Sequence, residues 1–105
     1  MSELTSLSLA DLRKTLDAGG LSAEEVMEAY LGRIERLNPQ INALVSLRSR
    51  EALRAEARAK DAERKHGRSL GVLHGVPVAI KDLSEAKGIL CTYGSPLFHD
   101  CVPDF

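Results

Sequence analysis

The sequence predicts an α/β fold of which these residues hold only a part: amino-terminal helices followed by the first strand of a mixed sheet. Three observations carry this expectation. Apolar residues recur at helical spacing in three segments between about residues 9 and 65. The run Val76-Pro77-Val78-Ala79-Ile80 is then purely apolar and reads as a strand buried on both faces, over about residues 76–80. Such a strand leaves its N–H and C=O groups unpaired when it stands alone. Either Ile41–Val45 pairs with it, or its partners lie outside these residues.

The first helix is expected over about residues 9–18. Ser8 serves as N-cap, with Asp11 as a capping-box-like partner. Leu9, Leu12 and Leu16 form a narrow apolar stripe, and Gly19-Gly20 ends the element. The second helix, about 23–37, starts at Ser22 with Glu25 as the capping-box acid. Val26, Met27, Tyr30, Leu31, Ile34 and Leu37 mark one broad face. Asn38-Pro39 is expected to stop it, because the residue before a proline is pushed out of the α region. An extended piece, Ile41–Leu47, follows.

The third helix is expected over about 49–65. Its apolar stripe is Ala52, Ala55, Ala59 and Ala62, with Leu53 beside it. Glu56–Lys60 and Asp61–Lys65 are i,i+4 pairs in the favoured order. High helix propensity with few large apolar residues places this helix on the outside of something larger. His66–Ser69 is a turn, and after Lys81-Asp82 the chain from Leu83 to Phe105 is loop-like, punctuated by Gly88, Gly94, Pro96 and Pro103.

Composition bounds the function. A chain of 105 residues is one small domain at most. Hydrophobic residues are 44% and aromatics 4%, so any core is aliphatic. The 14 basic and 15 acidic residues nearly cancel, which argues against a dedicated nucleic-acid binder and against a disordered acidic tail. The charge is uneven along the chain, with residues 48–68 carrying 8 basic and 4 acidic side chains. No aromatic residue is interleaved with those arginines to stack a base, so the block reads as the solvated face of a helix. No apolar stretch is long enough for a membrane helix, and the start has neither the basic nor the apolar region of a secretory signal. Cys91 and Cys101 do not make a disulfide framework, and the expected compartment is the reducing cytoplasm.

Lys81 is the sharpest chemical candidate. At the end of a buried apolar run, its stem would lie in protein while its ammonium reaches a cavity, and desolvation makes a lysine usable as a base. The alternative is an ordinary lysine at a strand exit, paired with Asp82. His74, ahead of Gly75 and Pro77, reads as a structural histidine in a tight loop, and His66 and His99 as exposed. The histidines and cysteines match no metal-ligand spacing. Neither cysteine has the adjacent basic cluster of a nucleophile. Ser95 lacks the G-x-S-x-G elbow, and no phosphate-binding glycine motif occurs.

Leu73–Asp82, LHGVPVAIKD, resembles the lysine segment of the amidase-signature hydrolases. Gly88, Thr92-Tyr93-Gly94-Ser95 and Val102-Pro103-Asp104 fit as well, as do Arg36-Leu37-Asn38-Pro39 and Ile41-Asn42-Ala43 in the lead-in. The similarity runs from about Leu7 to Phe105. It implies a mixed-sheet α/β fold and hydrolysis of a carboxylic amide, or transfer of its nitrogen, by a Ser–cis-Ser–Lys triad without metal or cofactor. Lys81 matches the triad lysine, whose implied role is to deprotonate the bridging serine. The serines lie well downstream in that family, and no Gly-Gly-Ser or Gly-Ser-Ser occurs here. The chain is thus expected to be the N-terminal portion of a single amidase domain, truncated and inactive alone; the complete enzyme would take a small-molecule amide.

Two alternatives stand beside this. One is part of a tRNA-dependent amidotransferase A subunit, although Leu83 follows Asp82 where that branch usually has Asn. The other is a non-catalytic fragment that self-associates through its helices or an exposed strand edge. A thin aliphatic core also leads to the expectation of a homo-oligomer, with no membrane or nucleic-acid partner.

Overall fold

The computed structural model describes residues 4–68 and 71–104. They divide into two compact units, Met1–Ala43 with Ser49–Pro77, and Leu44–Arg48 with Val78–Phe105. The first contains a 3₁₀ turn at Leu4–Ser6 and three helices: α1 (Leu9–Asp17), α2 (Ala23–Ile41) and α3 (Arg50–Lys65). The second is irregular, with a 3₁₀ turn at Pro96–Phe98 and an isolated bridge between Ala86 and Ile89. Among the described residues no helix is long and apolar enough to cross a membrane.

Local signals set the helix ends. Ser8 Oγ accepts the Asp11 N–H at 3.1 Å to open α1. Its far end is a Schellman closure: Gly20 N–H donates to Thr15 O at 2.9 Å and Gly19 N–H to Leu16 O at 3.1 Å. That closure needs a left-handed residue, and Gly19 sits at φ +79°. The Ser22–Glu25 capping box is complete, with Ser22 Oγ accepting the Glu25 N–H at 3.0 Å and Glu25 Oε2 accepting the Ser22 N–H at 2.9 Å. The remaining donors of the first turn of α2 are met from another helix. Asp61 of α3 accepts from Ala23 N–H at 2.7 Å and Glu24 N–H at 3.1 Å. Asp61→Ala should therefore destabilise this unit by about 0.5–2 kcal/mol. A urea midpoint unchanged by the substitution would show that water caps α2 equally well.

The core is small. Leu12, Leu16 and Val26 are its centre, with Leu4, Leu21, Tyr30 and Val76 packed against it. Between α2 and α3 the contact is largely ionic. Arg58 binds Glu24 at 2.7 Å, Arg54 binds Glu28 at 2.5 Å, and Arg50 binds Glu28 at 2.9 Å and Glu35 as well. Later residues of α3 pair with earlier residues of α2, so the two helices run antiparallel. The Arg58 guanidinium holds the Glu24 carboxyl below its ordinary value, and Arg54 does the same for Glu28.

Several expectations are corrected. No strand occurs among the described residues. In the run expected to be a buried strand over 76–80, Val76 donates its N–H to Leu73 O at 3.0 Å in a turn, and among the described residues Val78–Ile80 make no backbone hydrogen bond, with Val78 at 79% and Ile80 at 54% exposure. A single segment has no backbone partner, so its N–H and C=O groups turn to water. Ile41–Leu47 supplies none, since Ile41 ends α2 and the rest is irregular. Helix α2 runs through Asn38-Pro39 instead of stopping there. Pro39 removes one N–H from the last turn, and left-handed Asn42 closes the helix by donating to Asn38 O at 2.7 Å. The stripe Ala52, Ala55, Ala59 and Ala62 faces solvent. The inward face of α3 carries half-buried Leu53 and Asp61 with buried Ala57, because the carboxylates of α2 draw the arginine side of the helix inward.

Candidate functional site

The segment that carries the candidate chemistry lies in the second unit. Lys81 opens a turn closed by Ser84 N–H donating to Lys81 O at 2.9 Å. Its side chain is exposed. Among the described residues no ion pair or side-chain hydrogen bond holds its ammonium.

Asp82 does not pair with Lys81. It reaches across ten residues and accepts the Thr92 N–H at 2.6 Å on one carboxylate oxygen and the Thr92 hydroxyl on the other. Gly94 N–H in turn donates to Thr92 Oγ1 at 3.3 Å, and Ser95 N–H to Thr92 O at 2.9 Å. One carboxylate thus orders the whole Thr92–Ser95 turn, in which Tyr93 takes a left-handed φ of 55°. The Tyr93 ring meets Phe98 edge-on with centroids 5.0 Å apart, and its hydroxyl donates to Glu85. Cys91, 2% exposed, lies under this knot.

The Thr92 hydroxyl, and after it the Thr92 N–H, hold the Asp82 carboxyl below its ordinary value. A depressed folded pKa means that the bonds contribute fully above the unfolded value of about 3.9 and are lost as pH falls through the lower folded value. The Thr92 amide resonance should therefore titrate below the usual carboxylate range, and Asp82→Asn should abolish that titration. A Thr92 midpoint at the ordinary Asp value would contradict the bond pattern. Sequence reasoning missed this knot and considered Asp82 only as the partner of Lys81 in the alternative to a catalytic lysine. The available signal was the turn chemistry of Thr-x-Gly-Ser, which leaves a hydroxyl and several N–H groups in need of an acceptor.

His74 belongs to the first unit and is structural. It is 8% exposed, its Nε2 lies 2.8 Å from Lys60 O, and its Nδ1 is 3.8 Å from Glu63. A carbonyl only accepts, so Nε2 carries the hydrogen. Arg64 fixes the same turn, donating to His74 O at 2.8 Å and to Asp17 at 2.5 Å. Gly75 follows at φ +83°, where a Cβ would meet Ala23 Cβ at 3.3 Å. His99 is exposed, with Nδ1 2.9 Å from Pro96 O, and Ser95 caps that 3₁₀ turn by accepting from Leu97 N–H. His66 is the exposed C-cap of α3. Among the described residues no three His, Cys, Asp or Glu side chains converge as a metal-binding set. Arg50, Arg54, Arg58 and Arg64 of α3 are drawn into ion pairs with α2 and α1, and Lys60 pairs with Glu63 on its own helix, which leaves no uniform cationic face on that side of the helix.

The chain is similar in sequence to known proteins. The chain is 37% identical over all of its length to the A subunit of glutamyl-tRNA(Gln) amidotransferase from Streptomyces coelicolor. It is 42% identical to the protein of that name in Granulibacter bethesdensis and 43% to that in Salinispora arenicola, again over all 105 residues. In each case it spans about a fifth of the relative's length. A model of the Amidase family matches residues 25–105, from the first turn of α2 through the Lys81 segment and the Asp82–Thr92 knot. That match takes in well over half of the chain, which belongs to the Amidase family.

Proposed function

We propose that this chain is the lysine-bearing part of an amidase domain that cleaves a carboxamide C–N bond, with Lys81 as the base. The observation that carries the proposal is the family match across the segment that presents Lys81. Two features of the chain support it. Val78–Ile80 is apolar, exposed and, among the described residues, without a backbone hydrogen-bond partner, the state expected of a strand whose sheet is contributed by further residues. The Asp82–Thr92 knot fixes the backbone just past Lys81, so the lysine leaves an ordered turn and not a free loop.

In this reading the completed sheet covers the Lys81 stem and desolvates its ammonium. Desolvation disfavours the charged form and leaves an amine able to take a proton. The amine deprotonates a serine hydroxyl, which relays the proton demand to a second, nucleophilic serine that attacks the amide carbonyl. Both serines come from residues beyond these 105.

The test is a graft. Residues 1–105 would replace the matching fifth of the Granulibacter bethesdensis protein, and ammonia release from a carboxamide would be measured. Activity that requires Lys81 supports the proposal; an active graft indifferent to Lys81 refutes it.

The relatives favour one version of this reading, in which the amide nitrogen is transferred to a glutamyl-tRNA within a multi-subunit enzyme. Its support is identity of 37–43% over the full chain to proteins named for that activity. Ammonia delivered to a glutamyl-tRNA acceptor, against release to water alone, separates transferase from plain amidase.

A further inference from the structure

Cys91 and Cys101 lie opposite each other in the second unit. Cys91 N–H donates to Cys101 O at 2.9 Å, and Gly88 N–H donates to Pro103 O at 2.8 Å, so the two segments run as a short antiparallel pair. The single 2.9 Å bond, with backbone bond lengths of about 1.46, 1.23 and 1.52 Å on either side of it, holds the two Cα atoms within about 7 Å of each other. A disulfide needs backbone movement only where the Cα atoms are more than about 7 Å apart. Both thiols are free, Cys91 buried and Cys101 half-exposed.

We propose that Cys91 and Cys101 are a reversible disulfide site, oxidised by a low-molecular-weight disulfide. The more accessible Cys101 reacts first. Its thiolate attacks one sulfur of the external disulfide, whose S–S bond breaks, and the departing thiolate takes up the proton that Cys101 lost. Cys91 then attacks Cys101 Sγ, the bond to the external group breaks, and a second external thiol leaves with the Cys91 proton. Two protein thiols are oxidised by two electrons and one external disulfide is reduced to two thiols. Burial, and then the Asp82 carboxylate, push the Cys91 thiol up, which makes the second attack the slower one. The crosslink fixes the residue just before Thr92, which donates to Asp82. It stands whether or not Lys81 is a base.

The experiment treats the folded 105-residue chain with oxidised glutathione, quenches with acid, and reads intact mass, alkylation after denaturation, and linked peptides. The expected product is a monomer lighter by two hydrogen atoms, with no alkylatable thiol, a peptide joining Cys91 to Cys101, and full reversal by dithiothreitol. Cys91→Ser should accumulate one glutathione adduct at Cys101, whereas Cys101→Ser should leave Cys91 unmodified. Crosslinking should slow in urea, where the antiparallel pairing is gone. A stable glutathione adduct on the wild-type chain, disulfide-linked dimers as the product, or crosslinking as fast in urea as in buffer would each overturn the proposal.

Discussion

In the grafted enzyme, Lys81→Ala lowers the rate of ammonia release by about 10²–10⁴-fold, the range over which a positioned general base contributes. The loss falls on kcat and on kcat/KM alike, because the proton transfer belongs to the transition state and not to substrate binding. Lys81→Arg does not rescue, since a guanidinium stays charged at any working pH. The stability of the helical unit is unchanged, because Lys81 lies outside it. Measurement of both kinetic constants alongside a urea midpoint checks all of this together. A Lys81→Ala graft that keeps most of its activity would mean that the role implied by the resemblance does not belong to this residue.

The largest structural effect is expected at Val26. It has no accessible surface and sits with Leu12 and Leu16 at the centre of the first unit. Val26→Asp would place a carboxylate there without a partner, at a cost of about 3–5 kcal/mol by comparison with broken buried ion pairs. Whole domains are stable by only about 5–15 kcal/mol, and a core with so few large side chains stands toward the low end. Far-UV circular dichroism should therefore show α1, α2 and α3 lost together at neutral pH. Val26→Ala, which leaves a cavity but no charge, should lower the urea midpoint and keep the helical signal. A Val26→Asp chain with wild-type helicity would show that these residues do not form the core.

What the sequence made legible follows the range of the interactions involved. Ser8, Ser22 and Gly19 act on donors and acceptors three to five residues away, so the starts of α1 and α2 and the close of α1 could be read directly. Pro39 misled because a rule about one residue was applied without the left-handed cap at Asn42 that completes the helix beyond it. The inward face of α3 was hidden from a reading based on hydropathy. Its orientation is set by Arg54 and Arg58 meeting Glu28 and Glu24 in antiparallel order, a pattern of charge at four-residue spacing visible only once both helices are considered as a pair. Asp61 capping a helix that begins 38 residues earlier had no local signature at all.

The candidate site divides in the same way. Lys81 was legible from its place after an apolar run and from the family resemblance. Asp82 was weighed only as a local partner for Lys81 in the alternative reading: its partners are at Thr92, brought back by turns near Ser84 and Gly88. The buried state of Val78–Ile80 was the expectation that failed most plainly, and for a stated reason. Burial of a strand is a property of the sheet around it, and no sheet is present among the described residues. The apolar character of Val78 and Ile80 thus describes the environment the segment is suited to rather than the one it has in this chain.

Amide hydrogen exchange at Val78, Ala79 and Ile80 tests that account most directly. In the 105-residue chain these three amides should exchange nearly as fast as in an unfolded peptide, while Val26 and its neighbours in α2 are protected. In the grafted enzyme the same three amides should become slow, as further strands take up their N–H groups. Slow exchange through Val78-Ala79-Ile80 in the chain alone would contradict the account, because the segment would then already have found its partners.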